Sequence, residues 1–135
     1  MRLTFLLASI VLAAPALAAS QKLPTLTPAQ AISRATASQD VRAVVQLKVE
    51  SAAAARGGYY LDSQKDFHSA ANLGIAIRAS AVPALSQKYG ADLKAAFLGK
   101  TIKVIGQVHR RPVAHGTATA TEIEVTHAGQ ILAVN

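Results

Sequence analysis

Strict alternation of apolar and polar residues in two separate stretches limits what this chain can fold into. Ala43, Val45, Leu47 and Val49 fall on one face, with Arg42, Gln46, Lys48 and Glu50 on the other. Ile102, Val104, Gly106 and Val108 repeat the pattern against Lys103, Ile105, Gln107 and His109. A period of two is the mark of a strand with one buried face. Leu73, Ile75 and Ile77 form a third such strand, opposed by Gly74, Ala76 and Arg78, and Ile123 and Val125 form another, opposed by Glu122 and Glu124. Tyr59, Tyr60 and Leu61 add a short one, with Tyr60 outward, and Ile131 to Val134 is a closing extended piece. From Ala81 to Leu98 the period lengthens. Val82, Leu85, Tyr89, Leu93, Ala96 and Phe97 recur at helical spacing, which predicts one bent helix or two short ones meeting at Gly90.

This register predicts a core. Ile102, Val104 and Val108 should meet Val45, Leu47, Leu61, Ile75 and Ile123 beneath the helical Leu85, Leu93 and Phe97. Ser51 to Gly58 reads as a loop of small residues, Asp62 to Asn72 as a polar loop, and Arg110 to Thr117 as a loop holding Pro112 and Gly116.

Two segments precede the alternation. Met1-Arg2, the apolar run from Leu3 to Leu12 and Ala16-Leu17-Ala18 follow the order of a cleaved secretory signal, which predicts export to the periplasm or medium with no membrane span after cleavage. The expected organisation is a signal peptide over 1–18, a linker over 19–26 and one domain over 27–135. Thr27 caps and Pro28 opens a helix expected to reach about Ala37, with Ala29, Ile32 and Ala35 or Thr36 as its apolar stripe.

After that first helix the order is β-β-β-α-β-β, the order of the five-stranded OB-fold barrel, so the expected fold is mainly β with a short N-terminal helix. The chain resembles a family of small secreted bacterial OB-fold proteins, nucleic-acid-binding-like by fold. The resemblance is carried by Thr27-Pro28-Ala29-Gln30-Ala31, by Gly58-Tyr59-Tyr60-Leu61-Asp62, and by Gly99-Lys100-Thr101-Ile102-Lys103-Val104-Ile105-Gly106-Gln107-Val108. Ala128-Gly129-Gln130-Ile131 also fits. It covers the chain from Thr27 to its end and implies a fold more than an activity.

The chemistry narrows by elimination. Cysteine is absent, which removes disulfides, thiolate metal sites and a Cys nucleophile. His109 and His115 sit six apart, but no carboxylate shares their loop and Arg110 and Arg111 adjoin the first, so no metal site and no cofactor are expected. Asp62 and Asp66 share one loop, and Glu122 and Glu124 read as solvated strand carboxylates, so no acid–base pair and no enzyme activity are expected.

A basic surface remains. Lys and Arg number 14 against 7 Asp and Glu, for a formal charge of +7. Outward Lys48, Arg78, Lys103 and His109, with Arg110, Arg111 and the stacking ring of Tyr60, make the candidate ligand-binding set. Loop residues Arg56 and Lys65 add to the same charge. Cations beside an aromatic ring suit an anionic polymer, either nucleic acid or acidic polysaccharide. The alternative is a protein partner or an envelope-stress structural role, with the charge serving solubility.

Overall fold

The computed structural model describes residues 22–36, 38–113 and 119–135. The signal segment, Ala37 and His115 lie outside the described residues. The chain is mainly β. Its elements are β1 (Thr25–Leu26), α1 (Pro28–Arg34), β2 (Val41–Lys48), β3 (Ser51–Ala55), β4 (Gly58–Asp62) and β5 (Leu73–Ile77), followed by α2 (Val82–Tyr89), α3 (Leu93–Phe97), β6 (Thr101–Pro112), β7 (Thr119–Val125) and β8 (Ile131–Val134). Among the described residues, no helix is long and apolar enough to cross a membrane.

The strands form one mixed sheet in the order β1-β2-β6-β7-β5-β4-β3, with β8 also pairing β6. Most neighbours are antiparallel, but β5 and β7 run parallel, from Leu73 opposite Thr121 to Ile77 opposite Val125. Strand β3, at the far end of the path, directly follows β2 in sequence, since only Val49 and Glu50 separate them. Those two residues bond in different directions. Val49 N–H donates to the Lys100 carbonyl at 2.9 Å, and Glu50 N–H donates to the Asp62 carbonyl at 2.9 Å.

The predicted core forms as expected: each of its residues is exposed by no more than 2%. The helical stretch divides at Gly90 into α2 and α3, and Tyr89 meets Phe97 edge-on with ring centroids 5.2 Å apart. Gln130 seals the sheet from within. It accepts from Thr126 N–H at 2.8 Å and donates to the Ile105 and Glu124 carbonyls at 3.1 and 2.8 Å, so its buried amide is fully used.

Several expectations need correction. Ser51 to Ala55 is a strand, not a loop, paired with β4 through the two-residue turn Arg56-Gly57. Both turn residues have positive φ, +51° and +79°, the geometry of a tight hairpin whose twist matches its strands. The alanine run hid this strand because alanine has weak strand preference and cannot write an alternating pattern. Arg110 to Pro112 continue β6 rather than opening a loop, because they pair with Thr121 to Thr119 of β7.

Helix α1 begins as expected, with Gln30 N–H donating to Thr27 Oγ1 at 3.2 Å and Thr27 N–H to Gln30 Oε1 at 3.0 Å. It stops at Arg34, because Thr36 and Gln39 exchange backbone hydrogen bonds at 3.1 and 3.3 Å instead of extending it. Its buried stripe is Ala31 and Ala35, one turn apart, while Ala29 faces solvent.

Candidate functional site

Alternation and register together place the polar residues of the central strands on one outer face. Tyr60, Ala76 and Glu124 form one cross-strand row. Asp62, Gly74, Glu122 and His109 form the next. Two residues along their strands, Arg78 and Arg111 share this face. Gly74 and Ala76 are its floor, and both are buried beneath the longer side chains around them.

Charge on this face is paired. The Arg78 Nη2 group donates to Glu124 Oε1, and the two side chains are 42% and 44% exposed. That hydrogen bond is the main cause holding the Glu124 carboxyl below its ordinary range and raising the Arg78 guanidinium. Glu122 is different. Its side chain is only 4% exposed, with Arg111 Nε 2.8 Å and His109 Nε2 3.5 Å from Oε1. The Arg111 contact is misaligned, so Oε1 is buried with no hydrogen-bond partner among the described residues. Across Gly74, burial pushes the Asp62 carboxyl up, against the opposing hydrogen bonds from Asn72 at 2.9 Å and Ser51 at 3.4 Å. At one end, Arg56, Tyr60, Ala76 and Arg78 line a hollow of about 30 Å³.

The candidate residues therefore divide. Tyr60, Arg78, His109 and Arg111 come together. Lys48 and Lys103 lie farther along the β2–β6 pair, with Lys103 opposite Gln46 and Lys48 opposite Thr101, and Lys48 Nζ is 3.6 Å from Glu50. Arg110 points the other way, because strand residues alternate: its Nη2 donates to the Ile32 carbonyl at 2.7 Å, where α1 ends. It is a clamp on the N-terminal helix and is separated from the basic set. We expect Arg110→Ala to destabilise the fold near the lower end of the roughly 1.5–3 kcal/mol typical of charge-assisted hydrogen bonds. Its buried Nε, unpartnered among the described residues, offsets part of the loss. Urea denaturation should show a lower midpoint at unchanged slope.

Sequence reasoning missed Glu122. It expected exposed strand carboxylates, and β7 does turn Glu122 outward, but His109 and Arg111 cover it from the neighbouring strand. Alternation marked the face correctly. Only register names the neighbours.

A scan against protein-family models and a search of curated proteins both find no match for the chain.

Proposed function

We propose that this chain is an exported OB-fold binding module for an anionic polymer, nucleic acid or acidic polysaccharide, without catalysis. Two features support the fold assignment. The short break at Val49–Glu50 lets β2 and β3 be read as halves of one bent strand, and β5 and β7 are a parallel pair among the longer strands, which otherwise pair antiparallel. Counting the halves as one bent strand puts that strand at both ends of the path from β2 to β3, which supports reading the sheet as a five-stranded barrel.

The observation that carries the function is the meeting of Tyr60, Arg78, His109 and Arg111 on one sheet face. Arg111 brings Nε to Glu122 while its side chain remains 45% exposed, so much of it stays accessible to a ligand. Arg78 likewise engages Glu124 through Nη2 and remains 42% exposed. A guanidinium fixed from behind by a carboxylate is oriented for a phosphate or sulfate in front. The same carboxylates oppose the incoming anion, so binding should be weak, with a salt dependence set by these two contacts.

Single-stranded DNA binding followed by fluorescence anisotropy at several salt concentrations tests the face. Replacing Arg78 and Arg111 by alanine should weaken binding and flatten the salt dependence by about 1.4, at about 0.7 per lost phosphate contact. Tyr60→Ala should cost about 1–3 kcal/mol of affinity with little change in slope, because stacking releases no counterions. Arg110→Ala should leave both unchanged.

One observation favours the protein-partner reading. Phe67 is 61% exposed and lies against His68 with ring centroids 4.1 Å apart. Its loop is tied down by Asn72, which donates to Asp62 and accepts from Gln64 N–H at 3.1 Å. An exposed aromatic on a fixed loop suits an interface anchor. Failure of single-stranded DNA, RNA and acidic polysaccharide all to bind at about 50 mM salt would favour it.

A further inference from the structure

We propose that His109, Glu122 and Glu124 form a site for a transition-metal ion of the zinc(II) class. One ligand atom from each lies within 4.8 Å of the others. The separation of His109 Nε2 from Glu122 Oε1, 3.5 Å, is too long for an ordinary N–H···O hydrogen bond. It matches the spacing of two ligands on one tetrahedral ion: bonds of about 2.0–2.2 Å at the tetrahedral angle put ligand atoms about 3.3–3.5 Å apart.

A second observation points the same way. Glu122 is the buried member, 4% exposed, and its Oε1 has no hydrogen-bond partner among the described residues. The Arg111 Nε ion pair at 2.8 Å supplies charge there but no aligned hydrogen bond, so the lone pairs of this oxygen remain open to a further partner. Glu124 is 44% exposed, and Arg78 engages only its Oε1, which leaves the second oxygen for a metal.

The two arginines fit as outer partners. Ligating carboxylates are commonly held by a further partner; Arg78 hydrogen-bonds Glu124, and Arg111 stands beside Glu122 as an ion pair. Their charge offsets that of the carboxylates, which disfavours calcium and magnesium, ions bound by hard anionic oxygen. Metals with affinity for imidazole depend less on net charge, so the preference falls to zinc and its neighbours. Three protein ligands leave one coordination position open. The sequence argument against a metal at His109 rested on the lack of a carboxylate in its own loop and on the adjacent cations Arg110 and Arg111. Strand β7 supplies two carboxylates; Arg110 turns away to the Ile32 carbonyl, and the charge of Arg111 is met by Glu122.

The test is titration of tag-free full-chain protein with zinc(II) by calorimetry and with cobalt(II) by visible absorption, with no nucleic acid present. The result is thereby independent of polymer binding. The wild type should bind one equivalent of zinc, and cobalt should give the bands of tetrahedral coordination. His109→Gln and Glu122→Gln should each weaken zinc by more than the roughly 10–100-fold that follows loss of an outer partner. Glu124→Gln, at a half-exposed position that does not threaten folding, should weaken it as well. His68→Gln and His127→Gln should bind as the wild type does. Absence of saturable zinc binding by the wild type would overturn the site, as would unchanged affinity in a folded His109→Gln protein or equal loss in His68→Gln.

Discussion

Val104→Asp should leave the protein unfolded at room temperature, whereas Lys103→Asp, one residue away, should fold with a small change in stability. Val104 lies opposite Val45 in the β2–β6 pair, is 0% exposed and belongs to the main apolar cluster. A carboxylate there would lose its water and find no cation among the apolar side chains around it. Burial of an unpaired charge costs several kcal/mol even when the group takes up a proton to avoid it. Domains of this size are stable by only about 5–15 kcal/mol, and loss of valine packing adds to the damage. Lys103 faces solvent opposite Gln46, so reversing its charge there disturbs no buried group. Circular dichroism with thermal melting separates the two, and equal damage from both would contradict the register of β6.

Gly58→Ala should be nearly as severe, although it adds a single methyl group. A Cβ at Gly58 would stand 2.0 Å from the Ile77 carbonyl oxygen and 3.1 Å from its carbon. Those are backbone atoms of β5, so no side-chain rotation relieves the clash, and β4 must shift away from its neighbour. Tyr59 pairs with Ile77 at this point, and the shift would open the β4–β5 ladder where the β3–β4 hairpin begins. Overpacking in a tight interior typically costs about 1–3 kcal/mol, and a clash against backbone belongs at or above the upper end. Chemical denaturation should read that loss as a lower midpoint, while a stability within about 0.5 kcal/mol of the wild type, the range of ordinary surface changes, would show that β4 and β5 do not approach so closely.

These two positions illustrate how unevenly the fold was legible. Val104 was legible because period two in an amphipathic strand reports burial directly, and the same holds for Val45, Leu47 and Ile123. Helical spacing and Gly90 likewise gave the helical stretch and the place of its break, though not whether one bent helix or two short ones would form. Strand β3 was illegible, since five consecutive small residues carry no periodic signal and its pairing is imposed by the hairpin and by β4. The close approach at Gly58 is also a tertiary fact. For the site, Tyr60, Arg78 and His109 could be assigned to an outer face from alternation alone, whereas Arg111 read as a loop residue. That Arg110 points oppositely follows from the same rule once β6 is known to run to Pro112, and the missing knowledge was the length of that strand. Glu122 required more. Its burial depends on which residues of β6 stand beside it, and register between distant strands is set by the whole sheet rather than by local sequence.

The most direct test of the central claim is the affinity of the wild-type protein for single-stranded DNA, RNA and an acidic polysaccharide, measured across a range of salt. Anion recognition by the outer face predicts saturable binding to at least one of them at about 50 mM salt, with log affinity falling linearly against log salt. If Arg78 and Arg111 each hold one phosphate of a single strand, the slope should be near −1.4, at about 0.7 per contact. No binding to any of the three polymers at that salt concentration, or an affinity indifferent to salt, would contradict the account.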